Sequence, residues 1–254
     1  MKVLALLFFV CIAVQTEVDA QAASPWSMDV HVMSSVAIGR PAPGDGLGWG
    51  GQALVASDSA LYGRWGQRGT RSYGVFIRRQ LGKLGQLAFG FEQMRRIWTV
   101  EADWMPDSDE GATASTTVDW IVASYAIPIL YRTEVTLTPG WRLGAGGGIV
   151  MEILPTNAFS SASVAGEGDV FAVEHESLRY GWNRLGMALE LAVVKEGDEA
   201  DFHIGAALRP LIQPLMQGGL TGQWNLGQAD AGNGYIERVL DGSWWGLDVR
   251  LILH

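Results

Sequence analysis

The feature that most constrains this chain is a two-residue beat. From Asn183 to Val193 the odd positions hold Leu185, Met187, Leu189, Leu191 and Val193, and the even ones hold Arg184, Gly186, Ala188, Glu190 and Ala192. A helix would scatter those apolar side chains around its circumference. An extended strand gathers them on one face and sets the charges on the other. The beat returns at the end of the chain, where Trp245, Leu247, Val249, Leu251 and Leu253 alternate with Gly246, Asp248, Arg250 and Ile252.

Reading for the same period gives eight strands. They fall at Trp26–Met33, Ser72–Arg78, Leu87–Met94, Thr116–Ile127, Trp141–Gly148, Asn183–Val193, Phe202–Arg209 and Trp245–Leu253. The fourth is apolar on both parities from Trp120 onward, so its facing is open. Connections alternate in length: long segments at about 39 to 69, 104 to 115, 155 to 178 and 213 to 243, and brief ones at Leu81–Gly85, Pro128–Glu134 and Lys195–Ala200. A soluble sandwich has no reason to alternate its connections so strictly. The pattern predicts an all-β chain: a transmembrane antiparallel up-and-down β-barrel of eight strands, with short periplasmic turns and long extracellular loops. Stripes of this length match the roughly 9–11 tilted residues that cross the hydrocarbon layer.

The first residues agree with export. Met1-Lys2, an apolar run from Val3 to Val14, and Val18-Asp19-Ala20 form a secretory signal with a cut after Ala20. The run is shorter than the roughly 20 residues of a spanning helix. Residues 1–20 are therefore expected to be removed and 21–254 to form the barrel in the cell outer membrane. Cys11 is the sole cysteine and lies in the signal, so the mature chain has no disulfide, thiolate metal site or cysteine nucleophile. A net charge of -9 argues against nucleic acid as a partner.

If the oily parity faces lipid, the other parity fills the barrel. It carries Asp29, Glu92, Glu190 and Asp248 against Arg78, Arg142, Arg184, Arg209 and Arg250, with His31 and His203 beside them. Eight strands enclose a space just wide enough to be filled by side chains, so these groups are expected to pair as a lumen ionic network. Neighbouring strands suggest Arg78 with Glu92, and Glu190 with Arg209 or Arg184. Glycines 144, 146, 147 and 148 would give arginine room. Tryptophans at stripe ends, Trp26, Trp98, Trp104, Trp141, Trp182, Trp244 and Trp245, are expected at the headgroup level.

Candidate chemistry is sparse. His175-Glu176-Ser177 has the residue types of a lipid hydrolase, but alternation turns Glu176 away from the other two. His31 and His203 lack a third zinc ligand. The patches Asp107–Glu110 and Glu196–Glu199 lack calcium-loop spacing, and Gly144–Gly148 has no following helix to make a dinucleotide fingerprint. No catalytic set, metal or cofactor is expected. Loops 39 to 69 and 213 to 243 are the expected recognition surfaces. The first, with Trp49, Tyr62 and Trp65 between glycines, reads equally as an adaptable binding surface or a self-packed cap.

Ser124-Tyr125-Ala126-Ile127-Pro128-Ile129-Leu130-Tyr131-Arg132, followed by Pro139-Gly140-Trp141-Arg142-Leu143-Gly144-Ala145-Gly146-Gly147-Gly148, resembles the PorT-like outer-membrane β-barrel proteins of Bacteroidota. The resemblance implies a small eight-stranded barrel of OmpA-like architecture. The chain departs from the usual aromatic ending, closing on Leu253-His254. Three functions stay open: a structural or interaction barrel that is not a wide pore, a narrow transport or secretion-associated path, and a lipid-modifying enzyme. The expected partners are outer-membrane lipid and an extracellular or periplasmic protein, with the barrel itself a monomer.

Overall fold

The computed structural model describes residues 26–37, 53–56, 61–82, 85–104, 114–165, 170–225 and 232–253. The expected signal, Trp49 and the patch Asp107–Glu110 lie outside them. The regular elements are all strands: β1 (Trp26–Ala37), β2 (Ala53–Ala56), β3 (Leu61–Leu81), β4 (Gly85–Trp104), β5 (Ala114–Thr138), β6 (Trp141–Ile153) and β7 (Ala158–Ala165). The second half adds β8 (Val170–Arg179), β9 (Asn183–Lys195), β10 (Ala200–Arg209), β11 (Met216–Asn225), β12 (Gly232–Leu240) and β13 (Trp244–Leu253).

Eight of them close an antiparallel barrel in the order β1-β13-β10-β9-β6-β5-β4-β3. Apart from the closing β1–β13 seam, neighbours follow chain order, so the barrel is up-and-down, and each of the eight expected strands lies on one of these elements. The short turns β3–β4, β5–β6 and β9–β10 share one end, here called the lower, with the start of β1 and the end of β13 (Trp26 opposite Arg79, Met28 opposite Leu253). Gly82 and Gly140 make two of these turns at φ of +82° and +79°, a region that L side chains avoid.

Two connections differ from the sequence reading. Pro128–Glu134 is no turn: β5 runs straight through it, and the chain reverses at Pro139-Gly140. A proline is tolerated there because pairing with β4 lapses between Ile129 and Ala126, while the β6 side continues through Pro128 opposite Val150. Three of the long upper segments, 39 to 69, 155 to 178 and 213 to 243, carry strands of their own. They contain β2, β7, β8, β11 and β12, which form a second sheet in the order β2-β12-β11-β8-β7. Residues 61–69 belong to β3.

β3, β4 and β5 have 21, 20 and 25 residues, about twice what a bilayer needs. Their upper halves form a platform for the second sheet, with β7 against β5 and β12 against β3. Polarity inverts along these strands. In the lower half the outward residues are apolar (Val75, Ile77, Phe89, Phe91, Ile129) and the inward ones include Arg78, Glu92, Arg132 and Glu134. In the upper half the outward residues include Arg64, Glu101 and Asp119, and the inward ones are Trp65, Trp98, Val100, Trp104, Val118, Trp120 and Val122. The facing of 116–127 is thereby settled: even positions from Val118 point inward and Ile121 points out.

Candidate functional site

The lumen is built from inward side chains of all eight barrel strands. Asp29 on β1 accepts from Arg78 Nε at 2.6 Å and from Arg132 Nη1 at 3.2 Å. Glu190 on β9 sits at the centre, with Arg132 Nε and Arg209 Nη2 each at 3.0 Å and Arg250 Nη2 at 2.7 Å. Glu92 takes Arg209 at 3.2 Å and lies 3.7 Å from His31. Asp248 pairs with Arg250 through Nε at 2.6 Å and stands between His31 and His203, at 3.5 and 3.8 Å. At the lower mouth Arg142 gathers Glu134, Asp201 and, at 3.0 Å, Glu196. Paired charges therefore link the lower mouth to Glu92 without a break.

This arrangement brings together Asp29, Arg78, Glu92, Arg142, Glu190, Arg209, Asp248 and Arg250, and Glu190 meets Arg209. Two expected pairings differ. Arg78 does not reach Glu92, because Glu92 is in register with Gly74, four residues along β3 and thus about 13 Å away; Arg78 turns to Asp29 and Glu134 instead. Arg184 stands outside the network. It lies opposite Glu152, but that carboxylate is taken by Arg96, and Arg184 donates to the Asn183 carbonyl at 2.7 Å over the Tyr180 ring.

Arg132 and Glu134 were missed because they lie in a segment read as a turn, and Asp201 because it falls between the turn Lys195–Ala200 and the strand read from Phe202. Their signal was present: each keeps the inward parity of its strand. The glycine run does make room for arginine at Gly146, where a Cβ would stand 2.9 Å from Arg132 Cγ.

Above Glu92 a second ion pair closes the lumen. Arg96 donates to both Glu152 oxygens, one at 2.8 Å, and to Ser124 Oγ and the Gly242 carbonyl. Between the Arg96–Glu152 and Arg209–Glu92 pairs is a cavity of about 10 Å³, room for one water. Over this lid lies the apolar core shared by β3–β5 and the second sheet, where Trp98 and Trp120 stack at 6.2 Å and Trp104 meets Trp224 at 5.7 Å.

The tryptophans thus divide. Trp26, Trp141, Trp182 and Trp245 are 40–64% exposed at the ends of the outward apolar rows, and Arg79, Lys195 and Arg179 cover the rings of the first three. Trp98, Trp104 and Trp244 correct the sequence reading: they are buried, because they sit on the inward parity. Trp244 and Trp245 are adjacent, and only one can face out.

His175 and Ser177 point into the upper core, His175 Nε2 lying 2.7 Å from Ser177 Oγ, while Glu176 is exposed on the opposite face. The imidazole lies against Trp120 at 3.7 Å. Burial holds its pKa down at about 4, so it is neutral at ordinary pH. Chemically the pair is a neutral hydrogen bond in a tryptophan core. Among the described residues no cluster of three or more His, Cys, Asp or Glu could hold a metal ion.

No protein-family model and no curated protein matches this chain. Similar solved structures include the outer membrane protease OmpT from Escherichia coli, at 10% identity and TM-score 0.47 over 92% of this chain and 99% of that one. An outer membrane channel from Pseudomonas putida F1 aligns at 9% identity and TM-score 0.25, over 93% of this chain and 99% of that one. The transport unit of the autotransporter AIDA-I from Escherichia coli aligns at 10% identity and TM-score 0.23, over 98% and 96%.

Proposed function

We propose that this chain is an exported outer-membrane barrel with a structural or interaction role, closed to solutes, whose second sheet stands outside the membrane as the surface offered to a protein partner. The observation that carries the closed-barrel reading is the filled lumen: a continuous ion-pair column, capped by Arg96–Glu152 and then by a tryptophan core. The membrane reading is supported by the ring of exposed Met28, Val30, Ile77, Phe89, Ile149, Leu191, Ile204 and Leu251, an apolar band that a water-soluble barrel would not display. Placement with the PorT-like barrels of Bacteroidota is part of the same proposal, carried by residues 124–132 and 139–148, which form the β5–β6 hairpin.

A planar-bilayer recording on the purified chain tests it. Silence across the voltage range is expected, and discrete single-channel steps would replace this reading with a transport path. Fractionation in urea, with the chain staying in the membrane pellet, tests the location. A mass change in lipid extracts that disappears in Ser177→Ala would show an enzyme.

A further inference from the structure

Two arginines face each other across β3 and β4 on the outside of the barrel. Arg71 is in register with Arg95, with Ser34 on one side and Ala123 on the other. Both are exposed. Directly opposed like charges on a sheet repel, and a nearby acidic group would relieve the repulsion. Other outward arginines of β3 have their relief: Arg64 lies 3.1 Å from Glu101, Arg68 3.2 Å from Asp119, and Arg79 rests on the Trp26 ring. Among the described residues no carboxylate lies within ion-pair distance of Arg71 or Arg95.

Their height is informative. Directly below them the outward row is Tyr73, Gln93 and Tyr125, with Phe91 stacked on Tyr125 at 5.6 Å, and below that the apolar band begins. Directly above them one apolar row, with Ile97 and the exposed Ile121, precedes the polar face of Arg64, Glu101 and Asp119. Arg71 is eight residues above Arg79, roughly 20 Å along the membrane normal for a strand tilted by about 45°. The two arginines therefore stand near the upper edge of the apolar band, one row below its last apolar residues and over a platform of aromatic rings.

From this geometry we infer that Arg71 and Arg95 form a phosphate site for a lipid headgroup of the outer leaflet. The inference rests on the membrane reading above. Two guanidinium forks a cross-strand distance apart can each hold a phosphate by paired N–H donors, which cancels their repulsion. The rings below would contact the acyl chains of the same lipid, and this continuity with the belt favours a lipid over a free ion.

The test is native mass spectrometry of the full chain reconstituted in phosphatidylcholine containing a minority of phosphatidic acid, with insertion checked by the heat-dependent gel shift. Wild type is expected to retain phosphatidic acid over phosphatidylcholine. Arg71→Gln and Arg95→Gln should each lower that preference about fivefold, and the double variant about 25-fold, on the scale of one basic side chain at an anionic lipid surface. Arg64→Gln should leave it unchanged. Normal insertion with no preference, or a double variant that retains phosphatidic acid like wild type, would overturn the inference alone. Displacement of the lipid by inorganic phosphate would assign the site to the free ion and overturn the lipid assignment. Failure of wild type to insert would overturn the membrane reading and this inference with it.

Discussion

Glu190 accepts from Arg132 and Arg209 and forms an ion pair with Arg250, so it neutralises the charge of three buried arginines. Glu190→Ala should lower folding stability by about 3–5 kcal/mol, the usual consequence of stranding a buried charge; urea unfolding in detergent measures it. Glu92→Ala, which leaves Arg209 with Glu190 as its remaining partner, should reduce the heat-modifiable folded fraction by less. His175 gives a pH dependence of known sign. Its folded pKa of about 4 is below the unfolded value near 6.5, so the unfolded chain holds the proton more tightly. The stability of the upper sheet is then full above about pH 6.5 and falls as the pH drops toward 4, by at most about 3 kcal/mol. His175→Gln should flatten that slope in tryptophan-fluorescence unfolding measured at several pH values. A wild-type slope in the variant would mean that another group titrates.

The molecule has two packing units, one inside the lower barrel and one between the upper halves of β3–β5 and the second sheet. One core comprises Met33, Phe76, Met94, Leu130, Val150 and Trp244; the other holds Leu220, Trp65, Trp120 and their neighbours above the belt. Leu220→Ala removes a fully buried side chain from the upper core, at about 2–5 kcal/mol. Limited proteolysis should then cut within 155–182 or 213–243 while the gel shift of the barrel persists; loss of both together would show a single cooperative unit. The barrel strands were legible because an apolar outer face and an ion-paired inner face impose a strict alternation. Strands β8 and β11 were not. Their inward rows read Phe171, Val173, His175, Ser177 and Met216, Gly218, Leu220, Gly222, Trp224, and polar or vanishing side chains on the buried face erase the two-residue contrast.

At the scale of the whole molecule, the three short turns and both ends of the barrel share one side, and the second sheet lies on the other. External protease on intact cells should therefore reach the segment 155–182, while a tag joined after His254 stays protected until the outer membrane is opened; cleavage of that tag in intact cells would reverse the orientation. Alternation alone determined the eight-stranded barrel, its antiparallel order, the oily outer wall and the charged inner parity, because each follows from which face a side chain takes on its own strand. Partners were decided only by the closed structure. Arg78 meets Asp29 and not Glu92, Arg184 leaves the network, Trp98 and Trp244 turn inward, and Arg71 opposes Arg95, because strand register and length, set by packing across the barrel and beneath the second sheet, place residues far apart in sequence at the same height.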